Sequence, residues 1–227
     1  MSAIKTLRAL ATGERPVDAL LPPVRLFAGG TEYFGEEAIL HAFRRDPLTL
    51  STTAEVVETE GHVAIVDRDA ALFAALHGDR IARIWRLGPG EPGEAEPAIG
   101  VPFDTDLRQA RCDVAFRPED HPALGPQGAE AVKAIGRDLA HGWDAAEDQV
   151  SAYRRRPFAI QAFDDGDHGA VLFAFHQLGP DAVRSSGFAF AAATFRMGSD
   201  RRAARHIVRD AAGEAAIARR PWRTHFG

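Results

Sequence analysis

The chain has 227 residues, room for one large domain or two small ones, and its 45% hydrophobic and 26% charged residues suit a globular core and exclude an intrinsically disordered chain. A formal charge of −5, spread along the sequence without a basic arm, excludes the electrostatic footprint of a nucleic-acid binder, and the lone Cys112 excludes an intramolecular disulfide or a cysteine metal cluster. No run approaches the roughly 18 uncharged apolar residues of a membrane span, and Met1 to Gly13 lacks the apolar core of a signal peptide, so a soluble, cytoplasmic protein is expected.

Along the chain, Ile4, Leu7 and Leu10, then Val17, Leu20 and Leu21, fall at helical spacings on either side of Thr12-Gly13. They predict two short helices, ended by Pro22-Pro23. Val24 to Phe34, with Gly29-Gly30 between two apolar runs, reads as a hairpin. Gly35 opens a helix over Glu36 to Phe43, with acidic residues in the first turn where the helix dipole favours them, and Pro47 stops it. Ser51 to Thr59, His62 to Asp67, Ala70 to Leu76 and Arg80 to Leu87 follow as strands of an antiparallel meander, separated by Glu60-Gly61, Arg68-Asp69 and Gly78-Asp79.

Gly88 to Gly100 combines Gly, Pro and Glu with almost nothing to pack and reads as a linker. The expected organisation is a first domain over 1–88, a linker over 89–104 and a second domain over 105–227. In the second domain a short strand at Asp113 to Phe116 and a turn-rich stretch precede a helix over Gly128 to His141, whose apolar face is Ala131, Val132, Ile135 and Leu139. Strands are predicted at Ser151 to Phe163, Ala170 to Gln177, Ser186 to Met197 and Arg202 to Arg209. Gly35-Glu36-Glu37-Ala38-Ile39 is echoed by Gly128-Ala129-Glu130-Ala131-Val132, and Asp79 to Ile84 by Arg201 to His206, so the second half reads as a duplicate of the first.

Tyr33-Phe34-Gly35-Glu36-Glu37-Ala38-Ile39 and Asp79 to Trp85, set in this order of elements, resemble the nuclear transport factor 2-like superfamily, especially its SnoaL-like branch. The resemblance covers about residues 3–88 well and 105–210 more loosely. It implies an α+β fold of two cone-shaped domains, each a curved antiparallel sheet wrapped around helices. It also implies a pocket inside the cone, in a superfamily of isomerases, dehydratases, cyclases and non-catalytic binding or dimerisation modules. Val171 and Phe173 alternate with Ala170, Leu172 and Ala174, so both faces of that strand are apolar and each needs a cover. The other half is the nearest one, which predicts a pseudo-dimer packed sheet to sheet, as a monomer or within a homodimer.

SnoaL-like enzymes often carry His-Trp-Asp on the last strand. In the first half Ile84 and Arg86 stand where the His and Asp would be, leaving Trp85; in the second half His206 matches the histidine and becomes the candidate acid/base. Candidate ligand-binding residues are Tyr33 and Trp85 at the cone mouth, Arg83 and Arg205 at equivalent strand positions where they would clamp a carboxylate, and Tyr153 beside Arg154, Arg155 and Arg156. For each the alternative is structural: core packing, a solvated arginine, a strand edge. Asp164, Asp165, Asp167 and His168 fit a hairpin turn better than a metal site, and phosphate-loop, dinucleotide and nucleophile-elbow motifs are missing, so neither metal nor cofactor is expected. The leading reading is a binder of a small apolar or amphipathic molecule, with isomerase, cyclase or dehydratase chemistry open; the rivals are an interaction module with a degenerate pocket and a single lipocalin-like barrel.

Overall fold

The computed structural model describes residues 2–16, 19–89, 116–144, 158–178, 185–197 and 206–213, with side chains described except at 140–144, 175–178 and 185–189. It is α+β, with one mixed six-stranded sheet and one antiparallel four-stranded sheet. Helix α1 spans Ala3–Ala11, its first turn closed by the Ser2 hydroxyl accepting from the Lys5 amide, and it buries Leu7 and Leu10. Strands β1 (Leu20–Ala28) and β2 (Thr31–Phe34) form the predicted hairpin. Gly29 and Gly30, at φ 56° and 75°, supply the two left-handed positions that a two-residue hairpin turn demands.

Helix α2 (Glu36–Arg45) carries Glu36 and Glu37 in its first turn and Arg44 and Arg45 in its last, which complements its dipole, and it buries Ile39, Leu40 and Phe43. Strands β3 (Glu55–Glu58), β4 (His62–Val66), β5 (Ala71–His77) and β6 (Arg80–Leu87) form the expected meander. After it come α3 (Pro126–Asp144), which buries Val132, Ile135 and Leu139, and strands β7 (Phe158–Asp164), β8 (His168–Leu178), β9 (Ser185–Arg196) and β10 (His206–Arg209). The sheet orders are β2-β1-β6-β5-β4-β3 and β10-β9-β8-β7, so a helix followed by a four-stranded meander occurs twice.

Two expectations are corrected. Leu20 and Leu21 are not the end of a second helix; they open β1, and Pro22-Pro23 lie within it, joined by a cis bond, where the register with β6 shifts between Leu20 and Arg25. Proline donates no ladder hydrogen bond, so an irregularity of this kind is where a strand tolerates it. The first sheet is also not purely antiparallel, because β1 runs parallel to β6, with Leu26 beside Ile84 and Phe27 beside Trp85. The predicted linker and the 113–115 part of the short strand lie outside the described residues.

Alternation along the strands gives each sheet two apolar faces. Leu26, Ile65, Leu72 and Ile84 pack with α1 and α2, while Ala64, Phe73, Trp85 and Leu87 point the other way. In the second sheet Val171, Phe173, Ala191 and Phe195 pack with α3, while Phe163, Leu172, Ala192 and Val208 join the outward residues of the first sheet in one apolar layer. The two meanders therefore share a core. Gly169 sits under the Phe195 ring across the β8–β9 ladder, a contact that leaves no space for a β-carbon.

Polar groups bridge the same layer at its edge. The Thr194 hydroxyl donates to the Glu55 carboxylate, and His206 Nε2 lies 2.5 Å from the Asp67 carbonyl and 3.0 Å from that of Arg68.

Candidate functional site

The tight β1–β2 turn sets Thr31 directly opposite Ala28, and the parallel ladder sets Ala28 beside Arg86, so the three share one row on the helix-facing side of the sheet. Tyr33, opposite Leu26, lies on the same side. Helix α2 ends against this row: Arg86 Nη2 donates to the Asp46 carbonyl at 3.0 Å and to its Oδ2 at 2.9 Å, and Arg45 Nη2 donates to the Tyr33 hydroxyl at 3.3 Å. Two polar pairs, Arg86 with Asp46 and Tyr33 with Arg45, thus tie the C-terminal end of α2 to the helix-facing side of the sheet, in which Thr31 lies across β1 from Arg86.

The floor of this cluster is deeply buried and incompletely hydrogen-bonded. Arg86 is 6% exposed and Thr31 2%, yet Arg86 Nε and Thr31 Oγ1 have no hydrogen-bond partner among the described residues. Leaving a buried donor or acceptor unmet costs about 1–3 kcal/mol, so these two atoms are the energetically unusual feature of the cluster. Ala28 between them carries only a methyl group and is 8% exposed, while Asp46 is 28% exposed at the side chain, so the cluster reaches the surface.

Of the residues singled out in the sequence, Tyr33 belongs to this cluster. Trp85 does not: it faces the second sheet, with its ring stacked on Phe27 at 5.6 Å. Arg83 is exposed on that outer side of the first sheet, in register with Arg25, whose guanidinium pairs with Glu32 and lies over Phe34. Tyr33 and Trp85 therefore lie on opposite sides of one sheet and line no common mouth. His206 bridges the two meanders through the carbonyls of Asp67 and Arg68. Arg205 and Tyr153 lie outside the described residues. In the aspartate run, the Asp164 carboxylate accepts from the Gly166 amide and that of Asp165 from the Asp167 and His168 amides, as a hairpin turn requires, while Asp164 also accepts from the Gly125 amide just before α3.

A second polar feature lies between the meanders. His62 stacks on Phe163 at 5.1 Å, His121 stacks on Phe116 at 5.4 Å, and His62 Nδ1 has no partner among the described residues. Burial, then the nearby His121, holds the His62 pKa below its ordinary value of 6.5. Burial likewise lowers that of His121, against the opposing influence of Asp120 and of a hydrogen bond to the Ala159 backbone. The folded state therefore binds fewer protons than the unfolded one near pH 6.5, and stability present above that pH is lost as the pH falls through it. Urea midpoints should drop between pH 7 and pH 5, and His62→Leu should flatten that drop; a flat wild-type profile over this range would refute the account. The depressed carboxylates of Asp67 and Asp165, starting from an ordinary 3.8, act at lower pH and do not confuse the window.

No family model, no curated protein and no solved structure matches the chain.

Proposed function

We propose that the protein binds a small amphipathic molecule at the Thr31–Arg86 cluster, within a tandem of nuclear transport factor 2-like units whose sheets pack against each other as a pseudo-dimer. The observation that carries the reading is the pair of unpartnered polar atoms, Arg86 Nε and Thr31 Oγ1, both more than nine-tenths buried in one row at the edge of an apolar core. Apolar surroundings with a few convergent polar groups are what a small-molecule site needs. The recurrence of helix plus meander supports the tandem reading. Arg86 stands where SnoaL-like enzymes, which the sequence resembles, often carry an aspartate; a hydrogen-bond donor in place of an acid/base favours binding over proton transfer.

The test uses Thr31→Val, which replaces the unmet hydroxyl with a methyl group of the same shape. Its expected signature is a melting temperature equal to or above that of the parent, together with a weaker shift on adding fragments that stabilise the parent in a thermal-shift screen. Thr31→Val lowering stability while leaving fragment shifts unchanged would show the hydroxyl to be structural.

The rival, an interaction module with a degenerate pocket, has its own support. Phe43, Leu26 and Leu72 in the first half and Phe173, Val132 and Ile135 in the second are fully buried, so the middle of each helix–sheet layer is filled by side chains. A screen in which no fragment shifts the parent would favour that reading.

A further inference from the structure

We propose that the Asp165-Gly166 pair is a site of covalent self-modification, which rearranges to isoaspartate when the β7–β8 hairpin opens and is held unreacted by the native turn. The chain has no asparagine, and this is its one Asp-Gly pair. The chemistry needs only water. The Gly166 amide nitrogen attacks the Asp165 side-chain carboxyl carbon; an N–C bond forms, a C–O bond breaks and water leaves, giving a five-membered succinimide. Water then adds to one of the two ring carbonyls, and addition at the former main-chain carbonyl leaves the chain running through the β-carbon of residue 165. Glycine favours the attack because no side chain crowds its nitrogen.

Asp165, Gly166 and Asp167 are exposed at the tip of the hairpin, so hydrogen bonding and not burial holds the reaction back. Asp165 Oδ1 accepts from the Asp167 amide at 3.0 Å and the His168 amide at 2.8 Å, which ties the carboxylate to the chain beyond Gly166. The attacking amide of Gly166 is itself engaged, donating to Asp164 Oδ1 at 3.2 Å. The turn is fixed on both sides, the Asp165 amide donating to the His168 carbonyl at 3.0 Å and the Met197 amide to the Asp167 carbonyl at 2.7 Å. Burial acts to raise the Asp165 carboxyl, but the His168 and Asp167 amides and the His168 charge outweigh it and hold the group below its ordinary 3.8, in the ionised form that loses water less readily than the neutral acid. After rearrangement the carboxylate is no longer carried on the same side chain and one more main-chain carbon separates Asp164 from Gly169, which face each other in the native ladder. The two amides lose their acceptor, so the modified turn cannot re-form as before, and Phe163, next to it in β7, belongs to the layer the two meanders share. The modification is thus a lasting record that the second meander has opened.

The experiment incubates the full chain at pH 7 in water enriched in heavy oxygen, once native and once in urea above its unfolding midpoint, and reads by mass spectrometry the label and the isoaspartyl form in the peptide that carries residues 165 and 166. The unfolded sample should convert at least about tenfold faster, because at least two backbone hydrogen bonds to a charged acceptor must break before native Asp165 can react, and one such bond alone corresponds to about that factor. Asp165→Glu, which cannot close the five-membered ring, should abolish the label in urea. Chain aged in urea and then refolded should unfold at a lower urea concentration than unaged chain taken through the same steps, in proportion to its isoaspartate content. Equal rates in the native and unfolded samples would overturn the protective role of the turn. An unfolded sample that gains no label, or label that survives Asp165→Glu, would overturn the site, and an unchanged midpoint after ageing would overturn the claim that the modified turn cannot re-form.

Discussion

Phe163→Ala should lower the unfolding free energy by about 3–5 kcal/mol, as deletion of a fully buried phenylalanine does where the space cannot close. Phe163 comes from β7 of the second sheet and has no exposed surface. Its ring meets Phe73 of the first sheet edge-on at 6.1 Å and stacks on His62 at 5.1 Å. The cavity would therefore open in the layer the two meanders share, and both should be weakened at once. Urea unfolding followed by tryptophan fluorescence, for which Trp85 is a reporter inside that layer, and by far-ultraviolet circular dichroism should give coincident midpoints that move together. Separate transitions, with the first unmoved by the substitution, would mean that the meanders fold as independent units and that the shared layer adds little.

The second large effect is expected at Asp46. Removing one partner of a fully buried ion pair costs about 3–5 kcal/mol, because the remaining charge has lost its counter-charge without regaining water. Arg86 is 6% exposed but the Asp46 side chain is 28% exposed, so water reaches the guanidinium in part once the carboxylate is gone. Asp46→Ala should cost about 2–3 kcal/mol on that reasoning. The double variant Asp46→Ala with Arg86→Met should recover much of the loss, since no charge is then stranded. A cycle of the two single variants and the double one, read from urea midpoints, measures the coupling. Additive losses would show that Arg86 is held by its other contacts and that Asp46 is incidental to it.

Much of the architecture was legible because it is local. The spacing of Leu7 and Leu10, the glycine pair at 29–30, the acidic start of α2 and the turn pairs between β3 and β6 each act within a few residues, and each appears where periodicity and turn chemistry place it. The alternation of Val171 and Phe173 with Ala170 and Leu172 likewise foretold a sheet covered on both faces. Leu20 and Leu21 were misleading because two leucines beside a proline pair fit a helix end as well as a strand start. Only the ladder with β6, some sixty residues away, decides between them.

The site was less legible for the same reason. Arg86 stood out in the sequence as a departure from an enzyme pattern, but its burial depends on Asp46, 40 residues earlier, which carried no signal of its own. Thr31 follows the Gly29-Gly30 turn and carries no signal of its own in the sequence. Tyr33 and Trp85 seemed natural companions as aromatics near a cone mouth, and strand parity separates them: Tyr33 pairs with Leu26, and Trp85 with the next residue, Phe27. His62 and His121 lie in distant segments, and nothing short of the packed layer brings them near each other.

The parallel pairing of β1 with β6 also bears on how the chain is made. Translation delivers β1 and its hairpin partner early, but the neighbour that β1 needs on its other side is the last strand of the first meander, ending at Leu87. Until the ribosome has released that strand, the row holding Thr31 and Ala28 lacks Arg86, and the apolar inner side of β1 waits uncovered. Closing a connection of this length is slow compared with forming the hairpin or either helix. Of the cluster's residues, Arg86 is therefore the last to leave the ribosome, forty residues after its partner Asp46.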